Sequence, residues 1–261
     1  MKTLFNNHTG IQNFMLGMIR IKTFFLGLII FFIFVCFQSL IGEFILLPHK
    51  SELQKLIFFA EDGTLILDKY FAKSMEIVIP FSGYIFIGSV FLTFLIVYVF
   101  IRLRKKSVLP SFNLHMPKKQ TILLYLHHLI ILSLSIACIE LYFPGLLEEP
   151  FSEMAYRSAH SKSIFFIAVV LFAPFFEEFV FRGLMFDGLK EKFGVFAAII
   201  IPALLFALAH WGQYGFWICF LAVLPMGILF GYARLKSNTL TLPIALHLIN
   251  NLTGCLLFEF Y

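Results

Sequence analysis

The sequence predicts an all-α membrane protein, a polytopic bundle of about seven transmembrane helices. Two observations lead to this prediction. The first is composition: 60% of the 261 residues are hydrophobic, only 13% are charged, and the mean hydropathy is +0.91. These values lie far outside the range of water-soluble domains. The second is that the apolar residues form long runs, each close to the roughly 20 residues that a helix needs to cross a bilayer.

Seven apolar stretches meet or approach the length of a membrane span. They cover residues 23–47, 77–101, 121–143, 163–189, 193–210, 215–233 and 240–258. The fifth stretch is short, and the fourth is interrupted by charged residues. The first stretch lacks the small-residue cleavage site of a signal peptide, so we expect it to be a retained span.

The positions of Lys and Arg predict how the chain is oriented in the membrane. Thirteen of the 20 Lys and Arg residues lie at alternate ends of the stretches, six lie in the intervening segments, and Arg182 lies inside the fourth stretch. The positive-inside rule therefore places the N-terminus in the cytosol, and seven crossings place the C-terminus outside. The segment 48–76 and the acidic turn with Glu148, Glu149 and Glu153 become outer loops.

The four cysteines lie far apart in separate apolar runs. They are Cys36, Cys138, Cys219 and Cys255. They form no CxxC pair, so neither a disulfide framework nor a cysteine metal site is indicated. We expect all four to be small buried hydrophobic residues.

The most unusual stretch is 174–183, where Glu177, Glu178 and Arg182 interrupt a phenylalanine-rich run. A charge in lipid costs at least a few kcal/mol, so an ionisable residue in a span indicates a functional site. Pro174 should bend or restart the helix and direct the acidic pair into the bundle. Glu178 and Arg182 share a helix face and can pair, whereas Glu177 lies about 100° round the helix. The alternative is a structural ion pair with a spare carboxylate near the membrane surface.

Two later spans carry further polar residues at a similar depth. His210 lies about 21 Å along the fifth span from its cytosolic start, and Glu177 lies about 19 Å from Lys190. In the seventh span, His247 and Asn251 are four positions apart and share one face, while Asn250 should point elsewhere. Three spans thus carry site-type residues at compatible depths, within the bundle and reachable from the cytosolic side.

Each of these later residues also has a structural explanation. His210, beside Trp211, is typical of a residue at the membrane interface. His247 and Asn251 are typical of polar contacts between membrane helices, worth about 1 kcal/mol each. The agreement in depth among three spans favours a shared site, because independent packing roles do not require it.

Three motifs resemble those of the CPBP intramembrane protease family, which is also called the Abi or CAAX-protease-like family. They are Glu177-Glu178-x-x-x-Arg182, Phe206-x-x-x-His210 and His247-x-x-x-Asn251, in this order on successive late helices. Eukaryotic members include the Ras-converting CAAX endoprotease. The resemblance covers about residues 164–255. It divides a single membrane domain of residues 1–261 into N-terminal helices, 1–160, that match no motif, and a catalytic core, 161–261.

The resemblance implies hydrolysis of a peptide bond without a covalent intermediate. Glu177 would activate a water molecule that His210 helps to hold, and His247 and Asn251 would stabilise the oxyanion. Glu178 and Arg182 would support Glu177. Neutral imidazole and amide groups can meet an oxyanion without burying another charge, so we expect no metal or other cofactor.

The expected partners are the lipid bilayer and a peptide or membrane-protein substrate, with a CAAX-like tail as one possibility and no nucleic acid. We expect a location in a bacterial inner or plasma membrane. A zinc-dependent metalloprotease with Glu177, His210 and His247 as ligands is an alternative. It is disfavoured because the two histidines lie on different helices and lack the HExxH spacing. A non-catalytic scaffold or immunity protein is another alternative, and a proton-coupled transporter is disfavoured because no inverted repeat is visible.

Overall fold

The computed structural model describes residues 2–59, 65–104, 113–147 and 150–260. Within these ranges the chain is a bundle of helices, which confirms the predicted all-α membrane fold. Four continuous helical stretches in the described ranges are long and apolar enough to cross a membrane: Ile21–Gln54, Asp68–Arg102, Lys119–Tyr142 and Lys162–Ser237. A shorter apolar helix covers Thr241–Leu257. The count of seven crossings stays a prediction.

Long helices separated by short elements form the N-terminal half. In chain order the elements are α1 (Lys2–Leu46), α2 (Lys50–Gln54), β1 (Phe58–Phe59), β2 (Leu65–Ile66), α3 (Asp68–Val78), α4 (Ser82–Arg104) and α5 (Lys119–Tyr142). The two strands pair antiparallel, with Phe58 opposite Ile66. The predicted acidic residues Glu148 and Glu149 lie outside the described residues.

The C-terminal half contains three π-helical turns between its helices. The helices are α6 (Pro150–Ser158), α7 (Lys162–Ile167), α8 (Ala173–Glu178), α9 (Phe186–Ile218), α10 (Leu224–Ser237) and α11 (Thr241–Phe260). The π-helical turns are Ala168–Phe172, Phe179–Met185 and Cys219–Val223. Such turns are uncommon and occur often at functional sites. The first two flank α8, which carries both glutamates.

Two glycines interrupt α9 and divide the 76-residue stretch Lys162–Ser237. Gly194 has φ 82° and ψ 178°, and Gly215 has φ 76° and ψ 178°. Residues other than glycine rarely adopt such backbone angles. The two breaks fall at the predicted boundaries between the fourth, fifth and sixth apolar stretches. Residues 195–214 therefore form a separate helical segment. It makes one hairpin with the segment before Gly194 and another with the segment after Gly215.

The packing of small residues shows that the segments on either side of Gly215 run antiparallel. A Cβ added to Gly227 would lie 3.2 Å from Ala203, and one added to Gly231 would lie 3.1 Å from Ile199. The contact therefore moves four positions forward on one segment and four positions back on the other. Because these glycines lack side chains, the two backbones approach closely. The missing side chain of Gly227 also leaves room for the Arg182 guanidinium, which lies 3.4 Å from where its Cβ would be.

Pro174 occupies the first turn of α8, directly after the π-helical turn Ala168–Phe172. Proline has no N–H to donate and its ring collides with the carbonyl four residues earlier in a regular helix. The wider turn before it removes that conflict, so the helix restarts at Ala173 as the proline predicted. Pro225 repeats the arrangement at the start of α10, after Cys219–Val223.

The helix that carries the glutamates is enclosed by phenylalanine. Phe176, Val180 and Phe181 are at most 1% exposed and pack in one cluster with Ile30 and Phe34 of α1. The Phe34 and Phe176 ring centroids are 4.3 Å apart. The N-terminal helix α1, which matches no motif, therefore forms one wall around the charged segment.

The prediction that all four cysteines are buried is half wrong. Cys219 and Cys255 are buried, Cys36 is half-buried and Cys138 is exposed. Cys138 lies on α5, which is apolar on all sides, so a cysteine there can face lipid as easily as protein.

Candidate active site

Three ionisable side chains are almost completely buried at the centre of the bundle. Glu178 is 0% exposed, Arg182 is 1% exposed and His247 is 4% exposed. Arg182 Nη1 donates to Glu178 Oε1 at 2.9 Å, and His247 Nδ1 lies 2.9 Å from the same oxygen. The Glu178–Arg182 pair predicted from the sequence spacing is therefore confirmed. Together with His247, this pair joins α8, the π-helical turn Phe179–Met185 and α11.

The hydrogen bonds of Glu178 determine where the His247 ring carries its proton. Glu178 Oε1 accepts from the Arg182 guanidinium, so the same carboxylate oxygen is an acceptor for His247 Nδ1–H. The other ring nitrogen, Nε2, lies 3.7 Å from Glu177 Oε2. Glu177 is 13% exposed. The distance exceeds that of a direct hydrogen bond and is typical of two groups that share a third partner.

Arg182 is held by more than its carboxylate partner. Its Nη2 donates to the Gly227 carbonyl at 3.0 Å. Its guanidinium carbon lies 4.7 Å from the Phe206 ring centroid and 5.5 Å from that of Phe230. Aromatic faces attract a cation, and a desolvated pair of this kind contributes about 2 kcal/mol. Arg182 thus links α8, α9 and α10, and Glu178 is fixed through it.

His210 reaches this network through an aromatic ring. His210 Nδ1 lies 2.7 Å from the Phe206 carbonyl, to which it donates, so in the neutral ring Nε2 is an acceptor. The His210 ring lies 4.6 Å from the Phe206 ring, which in turn lies 5.8 Å from that of His247. Tyr214 stacks on the other side of His210 at 5.4 Å. Phe206 therefore contacts both predicted histidines.

Asn251 faces the first π-helical turn. Its Nδ2 donates to the Val169 carbonyl at 2.9 Å, and its Oδ1 accepts from Asn250 Nδ2 at 3.3 Å. The expectation that Asn250 points elsewhere is wrong, because both asparagines line the same cavity. Two neighbouring helical positions lie about 100° apart, which is close enough for two amides at the edge of one space.

A second ion pair, between the buried Arg234 and the 30% exposed Asp187, supports the site and was not predicted from the sequence. Arg234 is 5% exposed, its Nη2 lies 3.0 Å from both Asp187 carboxylate oxygens, and its Nε donates to the Arg182 carbonyl at 3.2 Å. The sequence analysis counted Arg234 among the cytosolic basic residues and did not predict that its side chain pairs with Asp187. Asp187 gave the available signal, since it is an ionisable residue inside the fourth apolar stretch.

A cavity of about 770 Å³ adjoins these residues. Val169, Ala209, Asn250 and Asn251 are among the side chains that line it. Glu177 lies two helical turns beyond Val169, and His247 lies one turn before Asn251. The cavity therefore ends where the predicted site begins, and a ligand inside it would meet Asn251 first.

The zinc site considered from the sequence would take Glu177, His210 and His247 as its ligands. His247 Nδ1 is bonded to Glu178 and His210 Nδ1 to the Phe206 carbonyl, so Nε2 is the nitrogen of each ring that a metal would use. Across the described ranges, no group of three His, Cys, Asp or Glu side chains has the geometry to hold a metal ion.

Comparisons with known proteins bear on the same region of the chain. Residues 159–253 match the family described as type II CAAX prenyl endopeptidase Rce1-like. A protein of Escherichia coli described as an uncharacterized 24.3 kDa protein is 29% identical over 92 residues, which cover 34% of this chain and 42% of that protein. The chain thus spans less than half the length of this relative. No solved structure matches this chain. The resemblance predicted from the three motifs is confirmed over residues 159–253, where the chain is similar to the CAAX-protease-like family.

Proposed function

We propose that this protein is a membrane-embedded endopeptidase that hydrolyses a peptide bond with a water molecule activated by Glu177. One observation carries the proposal. Glu177 Oε2 lies 3.7 Å from Nε2 of a histidine whose other nitrogen is held by a buried carboxylate–guanidinium pair. A carboxylate beside a fixed imidazole provides a general base and a group that can stabilise developing charge.

In this mechanism Glu177 takes a proton from water while the water oxygen attacks the substrate carbonyl. The carbonyl oxygen becomes an oxyanion, and Glu177 then passes its proton to the leaving amine. Proton transfer of this kind contributes about 10²–10⁴ in rate. Atoms and charge balance without a covalent enzyme intermediate.

His247 acts in this scheme as an imidazolium. Because its Nδ1–H is used by Glu178, a neutral ring offers only a lone pair at Nε2 and cannot donate to an oxyanion. Two carboxylates and Arg182 leave one net negative charge in the buried group, and a positive His247 neutralises it. The sequence led us to expect a neutral imidazole, and the bonded Nδ1–H is the reason that we propose a protonated ring instead. Removal of one oxyanion donor typically lowers the rate about 10²–10³-fold.

His210 and Asn251 complete the site in different ways. His210 Nε2 is the acceptor nitrogen of a neutral ring, so it can orient the attacking water through one of the water hydrogens. Asn251 Nδ2 carries two hydrogens and one is used by the Val169 carbonyl. The second hydrogen is the one that we assign to the oxyanion.

The substrate class that we propose is a peptide segment of a membrane-associated protein. The family description names a CAAX prenyl endopeptidase, so a prenylated C-terminal tail is the first probe to use. A site enclosed within helices long enough to cross a bilayer also suits a segment that approaches from the membrane surface.

The variant Glu177→Gln tests the proposal. The purified protein is incubated with a farnesylated, fluorophore-quenched CAAX peptide and with a mixed peptide library whose products are identified by mass spectrometry. We expect Glu177→Gln to lower cleavage by at least about 10²-fold, because an amide cannot accept the proton. The matched control is Glu76→Gln, which changes a carboxylate that pairs with Lys73 on the surface. Equal cleavage by wild type and Glu177→Gln would favour the non-catalytic scaffold.

Zinc dependence is tested separately on the same preparation. We expect cleavage to persist after metal chelation, because the two histidines lie on different helices and lack the HExxH spacing. Stoichiometric zinc in the purified protein, together with loss of cleavage on its removal and recovery on its return, would support the metalloprotease instead.

A further inference from the structure

The cavity beside the site has a definite position along the membrane axis. Ile21 and Glu43 both lie on α1, 22 positions apart, which corresponds to about 33 Å of helix. This is close to the roughly 30 Å thickness of a bilayer core. Glu43 lines the cavity, whereas Ile21 packs in the cluster at the other end of the bundle. The cavity and that cluster therefore lie at opposite membrane faces.

Basic residues mark the face that lies away from the cavity. The cluster there contains Leu189, with Ile21 and Leu235 packed against it. Each of these three residues is the immediate sequence neighbour of a lysine, namely Lys22, Lys190 and Lys236. The positive-inside rule places this face in the cytosol. The burial of Arg234 removes one basic residue from that count and leaves twelve against six, so the direction is unchanged.

The other face carries the mouth of the cavity. Ile79, Ala155, Phe165 and Cys255 form a buried cluster there and line the cavity. Glu43 and Met75, which also line the cavity, are exposed. The sequence led us to expect that the site is reachable from the cytosolic side, and this cavity opens at the opposite end.

The chemistry of the lining suits a polypeptide. Uncharged hydrogen-bonding side chains are frequent on its walls, and they include Gln38, Ser39, Ser152, Gln213 and Asn250. Among the described residues that line the cavity, Glu43 is the only Asp, Glu, Lys or Arg. Apolar side chains such as Val78, Ile79 and Phe86 form the larger part of the lining. The cavity thus offers apolar contacts to the side chains of an extended peptide and hydrogen-bond partners to its N–H and C=O groups once water is removed.

We propose that this cavity is the substrate chamber and that it takes an extended peptide segment presented at the non-cytosolic face of the membrane. The proposal rests on the proposed endopeptidase function and narrows its substrate class. A segment that enters beside Glu43 passes Asn250 and Asn251 before it reaches Glu177. The substrate is therefore an exported polypeptide segment, and a cytosolic C-terminal tail would approach the wrong end of the bundle.

The direction of access is tested by cysteine labelling, which does not depend on proteolysis. All four native cysteines are replaced, and either Ser39→Cys or Lys192→Cys is introduced. Ser39 is an exposed residue that lines the cavity, and Lys192 is exposed near the opposite end. A membrane-impermeant maleimide should label Ser39→Cys in intact cells and Lys192→Cys only after permeabilisation. The reverse pattern, or absence of labelling of Ser39→Cys from both sides, overturns the proposal.

The role of the chamber is tested by filling it. A Cβ added to Gly254 or Gly212 meets no atom within 4 Å, and both glycines line the cavity. We expect Gly254→Phe to lower kcat/KM for the mixed peptide library at least tenfold without lowering the thermal midpoint, and Gly212→Phe serves as a second filling variant. The matched control, Leu256→Phe, changes a 47% exposed residue on α11 and should leave kcat/KM unchanged.

The two experiments separate failure of the chamber from failure of the proposed function. If both filling variants cleave like the wild type, the cavity is not the substrate chamber although the protein is an endopeptidase. If wild-type protein cleaves no peptide, the endopeptidase proposal fails and the substrate chamber falls with it, while the labelling pattern still determines which face the cavity opens on.

Discussion

The residue on which the site depends most is Glu178. It lies at 0% exposure and its Oε1 contacts both Arg182 and His247. Its other oxygen, Oε2, has no hydrogen-bond partner among the described residues. A buried carboxylate in this state depends on its remaining partners, because removal of one leaves a charge that water cannot reach. Glu178 is thus a positioning residue, and Glu177 is the one that faces the reacting groups.

The chain contains a natural comparison for this pair. Glu153 and Arg157 are also four positions apart and joined by a hydrogen bond, but their side chains are 48% and 51% exposed. Arg182→Met should lower the free energy of unfolding by about 3–5 kcal/mol, because Glu178 stays buried without its cation. Arg157→Met should lower it by less than about 1 kcal/mol, since water solvates the remaining carboxylate.

Thermal unfolding in detergent micelles, followed by circular dichroism, measures both variants. A loss of stability for Arg182→Met no larger than that for Arg157→Met would mean that the buried pair does not hold the site together.

At the scale of helices, close backbone contacts fix where the elements meet. A Cβ added to Gly83 on α4 would lie 2.8 Å from the Phe165 Cα on α7. The obstacle is backbone, which cannot rotate away as a flexible side chain can. Gly83 therefore sets the separation between an N-terminal helix and the helix that leads into the site.

Gly83→Ala should destabilise the protein by roughly 1–3 kcal/mol, the usual cost of inserting a methyl group into a packed contact. The control is Gly254→Ala, whose Cβ meets no atom within 4 Å and which gains helix propensity worth up to about 1 kcal/mol. The two thermal midpoints should move in opposite directions. If they move together, the close contact between α4 and α7 is not limiting.

A second contact between elements joins α6 to the end of α11, beyond the apolar stretch that ends at Leu257. The Tyr156 hydroxyl donates to Glu259 Oε2, and Lys162 Nζ lies 3.4 Å from the same oxygen. The hydrogen bond from Tyr156, followed by that from Lys162, lowers the pKa of Glu259. The same hydrogen bond raises the pKa of Tyr156 to about 12.

This contact predicts a pH dependence of stability with a definite sign. A carboxyl group with a lowered pKa stabilises the fold above its ordinary value of 4.5, and that contribution is lost as pH falls through the folded-state pKa. The thermal midpoint should therefore differ between wild type and Glu259→Gln at pH 6 and converge as pH falls below 4.5. A difference that stays constant over this range would contradict the assigned pKa shift.

At the scale of the whole molecule, the seven predicted crossings would place the two termini on opposite sides of the membrane. An alkaline phosphatase fusion after Lys192 should be inactive, and one at the C-terminus should be active, because the enzyme folds only outside the cytosol. The activity of fusions in intact bacterial cells provides the measurement. An active fusion after Lys192 would reverse the orientation, and an inactive C-terminal fusion alone would mean an even number of crossings.

Some features of the site followed from sequence because they are local. The Glu178–Arg182 pair needs only a spacing of four along the chain, and the breaks at Gly194 and Gly215 lie at the starts of the fifth and sixth apolar stretches. The same local reasoning failed for Arg234. It lies one position beyond an apolar stretch, which looks like a loop, yet its side chain turns back to Asp187 on another helix.

The sequence by itself determined that this is an all-α membrane bundle and named the polar residues at its centre, because hydropathy and helical spacing act over a few turns. Tertiary structure alone decided that His247 bonds to the Oε1 oxygen of Glu178, 69 positions away. It also decided that Arg234 donates to the carbonyl of Arg182, 52 positions away. It also decided which end of the bundle opens into a cavity. These features depend on how distant helices pack against one another, and no spacing along a single helix encodes that.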